Sequence, residues 1–137
     1  MLGLTQPGAA RMANQATFEL LDAFADAFNR HDTDALMGMM TPDCVFDASA
    51  GGEVFGTRFE GQEAVRAGFD SIFGQFADAQ WNEPAHFITG DRGVTEWRFT
   101  ATGADGKRTE VHGCDVFTFR DGKILVKNSY RKNRPPF

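Results

Sequence analysis

The sequence predicts an α+β fold, with helices laid on one face of an antiparallel sheet. Apolar residues recur at a helical period through the first half of the chain, and beyond residue 80 the spacing changes to strand-like alternation. The second half is punctuated by "GDRG", "GADGK" and "RDGK", and the last two contain Asp-Gly, the strongest short-range hairpin signal. No internal repeat and no linker interrupt the chain, and 137 residues can enclose one core without disulfide or metal.

A first helix is expected from Asn14, whose side chain can cap it, to about Arg30. Phe18, Leu21, Ala25 and Phe28 fall on one face, and Leu20 and Phe24 widen it. In "HDTDALMGMMTP", Asp32 or Thr33 can cap a short second helix carrying Leu36, Met39 and Met40, which Pro42 helps to stop. "DCVFDAS" reads as a brief strand, whereas "AGGEVFGTRFEG" reads as loop because it is too rich in glycine. Gln62 to Phe76 forms a third helix with Val65, Phe69, Ile72, Phe73 and Phe76 on one side. Runs near 80–89, 93–102, 108–119 and 123–131 then alternate as a four-stranded antiparallel meander. Pro84 assigns the first of these to an edge or a bulge, since proline cannot donate to a ladder.

Apolar residues at 42% and charged residues at 24% describe an ordinary globular chain. A net charge of −5 argues against a nucleic-acid partner, which requires clustered cations. The cluster Arg131-Lys132-Asn133-Arg134 reads as a solvated tail. No stretch approaches the ~20 apolar residues that span a bilayer, and the N-terminus lacks the pattern of a secretion signal, so no membrane is expected. Met12 is a candidate start, with residues 1–11 an extension. Cys44 and Cys114, far apart in apolar runs, read as buried thiols of a cytoplasmic protein. No metal-ligand spacing, phosphate-binding loop or nucleophile elbow is present, so no cofactor or metal is expected.

The strand "VHGCDVFTFRDGKI" holds the residue with most chemical interest. Asp115 shares a face with Val111, Gly113, Phe117 and Phe119. A charged carboxylate there must be paired with a cation, be protonated, or border a cavity. On the next strand Lys127, Ser129 and Arg131 share one face, and one parity of pairing offers Asp115 a cation. With Arg131 as that cation Asp115 stays ionised and suits a general base or an anchor; with none, a protonated acid follows. Fourteen phenylalanines either fill a core or line an apolar hollow, and Trp97 and Phe99 share a face with Ala101. His112 falls opposite Asp115 as a surface or dimer-interface residue, His86 lies near a pocket mouth or is merely hydrogen-bonded, and His31 ends the first helix.

The order helix, helix, strand, helix, meander, together with "NRHDTDALMGMMTPDCVF", "GTRFEGQEAVRAGF" and "GCDVFTFRDGKI", resembles the nuclear transport factor 2-like superfamily. The likeness runs from about Ala16 to Arg131 and is greatest to its SnoaL-like (polyketide cyclase-like) and ketosteroid isomerase-like branches. It implies a cone-shaped curved antiparallel sheet wrapped on the long first helix, a cystatin-like α+β barrel, and a homodimer formed through the sheet. By this likeness residues 13–131 are the domain, 1–12 a flexible extension and 132–137 a tail. Asp115 stands where the isomerases keep a protonated oxyanion partner and the cyclases an acid/base residue. The isomerase tyrosine falls at Phe24, the isomerase base at Ala48 with Asp47 beside it and facing away, and the cyclase histidine near Ala101, so a steroid isomerase of the known type is not expected.

The functional expectation is a small, largely apolar ligand in a conical pocket, with cofactor-independent isomerase, cyclase or lyase chemistry at Asp115. Arg131 and Asp47 are the further catalytic candidates, and Phe24, Phe28, Phe46, Phe69, Phe73, Trp97, Phe99, Phe117 and Ser129 the ligand-binding ones. The alternative is a non-catalytic binding or dimeric interaction module on the same fold.

Overall fold

The computed structural model describes residues 8–137, with side chains from Gln15 onward. Helix α1 spans Gly8–Asn29 and so begins well before Asn14. "AARMANQA" is dense in strong helix formers, and their propensity carries the helix through the expected cap. Of the residues expected as an extension, 8–12, Met12 included, belong to α1, and 1–7 lie outside the described residues.

The end of α1 explains the tight entry into α2 (Thr33–Gly38). His31 adopts φ 56°, its N–H donates to the Phe28 carbonyl at 3.1 Å, and the Asp32 N–H donates to the Ala27 carbonyl at 2.9 Å. This left-handed C-terminal motif satisfies carbonyls that the helix leaves orphaned. Asp32 then caps α2 by accepting from the Ala35 N–H at 3.1 Å. Met39 closes α2 as its C-cap and Met40 already belongs to β1 (Met40–Asp47), a correction to the expected helix. The sheet claims this segment, since Ile124 donates to the Met39 carbonyl and pairs with Met40. Pro42 therefore lies inside a strand, where an irregularity between Met40 and Val45 asks no ladder bond of it.

The glycine-rich segment contains a short strand where only loop was expected. Strand β2 (Arg58–Glu60) pairs antiparallel with Val45–Asp47 of β1. Its three residues are fixed by tertiary partners, with the Phe59 ring stacked on Phe46 and Arg58 ion-paired to Asp47. Helix α3 (Gln62–Gln75) follows, and the Gln62 amide donates to the carbonyls of Met37, Met40 and Thr41, fastening it to α2 and β1.

Strands β3 (Gln80–Thr89), β4 (Arg92–Thr102), β5 (Arg108–Arg120) and β6 (Lys123–Arg131) match the expected meander to within a residue. The sheet is curved and unclosed, in the order β2-β1-β6-β5-β4-β3. It is mixed rather than antiparallel throughout, because β1 runs parallel to β6. The meander enters at the far edge, and its fourth strand returns beside β1 in the same direction. Strand β3 is both an edge and bulged, with Glu83 at φ 57° and the register broken between Asn82 and Ala85, as Pro84 requires.

The helices cover one face of the sheet, where Leu21, Phe24, Ala27 and Phe28 of α1 meet Phe46, Phe69, Phe99 and Phe117 in the core. Asn29 pins the end of α1 to β3, its amide group exchanging two hydrogen bonds with the Trp81 backbone. Residues 132–137 run back along β5, where Phe137 exchanges two backbone hydrogen bonds with Arg108. Among the described residues no helix is long and apolar enough to cross a membrane.

Candidate functional site

The site begins with a bulge. The Asp121-Gly122 turn pairs Arg120 with Lys123 and Phe119 with Ile124, after which β6 takes one extra residue, Leu125, so that Thr118 meets Val126. Without that residue Lys127, Ser129 and Arg131 would face away from Asp115, because a slip of one reverses every side chain. With it, Asp115 stands directly opposite Ser129, and Lys127 lies one pair along on the same face.

Asp115 is buried and accepts three hydrogen bonds. Lys127 Nζ donates to Oδ1 at 2.9 Å, Ser129 Oγ donates to the same oxygen at 2.6 Å, and Trp97 Nε1 donates to Oδ2 at 3.0 Å. Lys127 also donates to Ser129 Oγ at 2.8 Å, which closes a three-membered ring of polar groups. The lysine side chain is 4% exposed, and its ammonium lies 4.7 Å over the Phe28 ring and 4.8 Å over the Phe46 ring. Burial pushes its pKa down, and the charge and hydrogen bond of Asp115 oppose that shift. The cation on Asp115 is thus Lys127.

Arg131 makes no hydrogen bond to Asp115; it sits opposite Gly113, as far from Ser129 as Lys127 is on the other side, and its side chain is engaged elsewhere. Its Nε donates to Ser49 Oγ at 3.1 Å, and its guanidinium lies 4.6 Å over Phe99. Asp47 points away from the hollow, between the inward Phe46 and Ala48, and is held by two hydrogen bonds from Arg58 at 2.8 and 3.0 Å. Neither joins the Asp115 cluster.

A cavity of about 150 Å³ lies over Lys127 and Ser129, walled by Phe28, Phe46, Trp81, Trp97, Phe99 and Arg131, with Ser49, Ala50 and Phe76 toward its opening. Of the expected ligand-binding residues the fold brings together Phe28, Phe46, Trp97, Phe99 and Ser129. Phe24 and Phe117 border a separate void of about 20 Å³ beside Asp115, which therefore sits behind Lys127 and not in the larger wall. Phe69 and Phe73 border neither; Phe69 packs under Phe28 and Phe46, and Phe73 stacks on His31 at 4.3 Å. Lys127, Trp81 and Phe76 were not among the expected site residues. Parity with Ser129 was the available signal for Lys127.

Of the remaining candidates, His86 and His31 are accounted for by hydrogen bonds. His86 bridges Thr95 Oγ1 at 2.8 Å and Asp22 Oδ1 at 2.9 Å, and His31 Nε2 contacts the Ala79 carbonyl at 2.8 Å. His112 is exposed on the opposite face of the sheet. Cys44 is buried, Cys114 is half-buried, and both thiols are free. Among the described residues no cluster of His, Cys, Asp or Glu is arranged to hold a metal ion.

Chemically, the cavity offers an amine and a hydroxyl to a ligand oxygen, with a carboxylate one hydrogen bond behind them. That is a donor pair with a proton acceptor in reserve, inside an apolar wall.

The family model of the SnoaL-like domain matches residues 21–126. Among solved structures, a polyketide cyclase-like protein from Xanthomonas campestris pv. campestris is 22% identical, with a TM-score of 0.78 over 88% of this chain and 93% of that one. A nuclear transport factor 2-like protein of unknown function from Mesorhizobium loti is 28% identical, with a TM-score of 0.73 over 87% and 93%. TerC, co-crystallised with polyporic acid, is 18% identical, with a TM-score of 0.72 over 85% and 92%. A search of curated proteins finds no match to the sequence. The family model covers the strand with Asp115, the bulge after it and the helices that close the cavity, and the chain belongs to the SnoaL-like domain family of the nuclear transport factor 2-like superfamily.

Proposed function

We propose that the chain binds a small, largely apolar, carbonyl-bearing ligand over Lys127 and moves a proton on it without a cofactor. One observation carries this reading: a lysine amine, 4% exposed, stands in the wall of an apolar cavity with a buried carboxylate as its counter-ion. The ligand oxygen takes hydrogen bonds from Lys127 and Ser129, and negative charge that develops there on loss of a neighbouring C–H proton is stabilised by both donors. Once those donors turn to the ligand, Oδ1 of Asp115 is released to accept the proton. Among the described residues no Asp or Glu lines the larger cavity itself, and Asp115, one hydrogen bond behind its wall, takes the proton by way of the Lys127–Ser129 ring. That TerC, of like fold, was crystallised with polyporic acid supports ligand binding by this scaffold.

The test uses 2-tetralone in deuterated buffer, with exchange of its α-protons followed by NMR. Wild-type protein is expected to accelerate exchange, and Lys127→Met and Asp115→Asn to lose about 100-fold or more of that acceleration. A second reading, a non-catalytic binding module, is favoured by the three donors already seated on Asp115. Binding of the ketone with exchange at the rate of buffer alone would establish that reading instead.

The partner we propose beyond the ligand is a second copy, docked through the sheet face that no helix covers. Phe87 and Tyr130 stand there 59% and 54% exposed, and Val94, Val116 and Val126 share that face by strand parity. Sedimentation is expected to give a dimer mass, and Val116→Lys to give a monomer with unchanged circular dichroism; a monomeric wild type refutes it. The proposed setting is the cytoplasm, where the thiols of Cys44 and Cys114, whose pKa values burial raises, stay reduced.

A further inference from the structure

We infer that the ligand carries an anionic group, a carboxylate or its chemical equivalent, which the Arg131 guanidinium holds where the cavity opens. The inference rests on the reading of the cavity above and adds the class of molecule it takes. A hollow of about 470 Å³ shares Ser49, Ala50, Phe76 and Arg131 with the cavity and forms its mouth, bounded also by Lys132 and Arg134. Among the described residues, neither wall contains an Asp or Glu, in a chain with 19 of them and a net charge of −5. Such a segregation of sign makes the opening attractive to anions.

Arg131 is set apart from most of its kind in this chain. Arg30, Arg58, Arg66, Arg98, Arg108 and Arg120 are each ion-paired to a carboxylate. Among the described residues Arg131 has only the Ser49 hydroxyl on its Nε and the Phe99 ring against its face. Among the described residues its two Nη groups have no acceptor, so the edge of the fork that matches a carboxylate is unused. Burial lowers its pKa, and the charge of Asp115, which does not touch it, opposes that shift without cancelling it. A guanidinium held this way gains from an anion delivered by the ligand.

The two ends of the cavity then ask for different chemistry. Lys127 is already neutralised by Asp115, so the inner end suits an uncharged oxygen. Arg131 is not neutralised, so the mouth suits a charged one. Between them the rings of Phe28, Phe46, Trp81, Trp97 and Phe99 accept an apolar body. The ligand class is an apolar, ring-bearing acid with a second, neutral oxygen function.

Isothermal titration with 3-phenylpropanoate and its primary amide tests this, since the two differ chiefly in charge. Wild-type protein is expected to bind the acid about tenfold or more tightly than the amide, the scale of one charge-assisted contact. The preference is expected to vanish in Arg131→Gln, to persist in part in Arg131→Lys, and to shrink between 0.05 and 0.5 M salt, concentrations chosen to span strong and weak screening. Equal affinities in the wild type overturn the inference and leave the apolar cavity standing. An undiminished preference in Arg131→Gln overturns the assignment to that residue. Failure of both compounds to bind removes the cavity reading and this inference with it.

Discussion

Asp115→Asn is expected to cost about 3–5 kcal/mol of folding stability at pH 7, the usual penalty for leaving one member of a buried ion pair alone. The asparagine keeps the volume and an acceptor for Ser129 or Trp97, but it cannot balance the ammonium of Lys127 inside its cage of rings. The pH dependence follows from the same group. Lys127 already has its pKa lowered by burial, and the Asp115 charge and hydrogen bond are what hold it up. Without them the folded-state value drops further below the unfolded value near 10.5. Lys127 is a base whose folded pKa is the lower one, so between the two values the unfolded chain binds more protons and stability rises with pH. The deficit of Asp115→Asn is therefore largest near neutrality and shrinks toward pH 10. Urea denaturation at pH 7 and pH 9.5, with wild type alongside, reads this directly. Adding Lys127→Met to Asp115→Asn removes the stranded charge and is expected to restore most of the loss. A single variant within about 0.5 kcal/mol of wild type at pH 7, the scatter of ordinary surface changes, would mean that Lys127 escapes to solvent.

How much of this was legible in the sequence depends on the range of the force that fixes each part. Strands β3 to β6 were legible because alternation and Asp-Gly turns are local. Strand β2 was not, since three residues in a glycine-rich run carry no period and are held by Phe46 and Asp47 from another element. The parallel pairing of β1 with β6 was hidden for the same reason. In the site, the inward parity of Asp115 could be read from Phe117 and Phe119. That Lys127, Ser129 and Arg131 face Asp115 at all could not, because it depends on a single extra residue, Leu125, whose bulge leaves no mark in the hydrophobic pattern. The cavity itself was half legible. The count of rings implied either a core or a hollow, and the fold divides them, with Phe69 and Phe73 in packing and Phe28, Phe46 and Phe99 at the cavity wall.

Gly113→Ala is expected to be the most damaging small substitution in the sheet, by about 3 kcal/mol, combining overpacking with a lost buried hydrogen bond. Gly113 pairs with Trp97 across β4 and β5, and the indole lies over it. A β-carbon there would stand 2.5 Å from Trp97 Cζ3 and 2.6 Å from Cη2, and it would also meet the Tyr130 carbonyl. The cost comes from contact and not from backbone strain, since Gly113 is not among the residues of positive φ. Trp97 cannot yield cheaply. Its Nε1 is the donor to Asp115 Oδ2, and its ring forms wall in both voids that flank the Lys127–Asp115 pair. Displacing the indole thus strips Asp115 of a donor and reshapes the cavity in one step. A thermal melt measures the loss of stability, and NMR of the two indole N–H groups locates it: the Trp97 resonance moves by more than that of Trp81, whose indole does not donate to Asp115. Trp97→Leu in the Gly113→Ala background relieves the clash and is expected to recover part of the stability without restoring the hydrogen bond. An unshifted Trp97 resonance in Gly113→Ala would show that the close approach over glycine is not what aims the indole at Asp115. If the resonance moves as expected, the glycine two places before the acid in "HGCDVF" has a physical reason: only a residue without a side chain lets the tryptophan lie across the strand and reach the carboxylate.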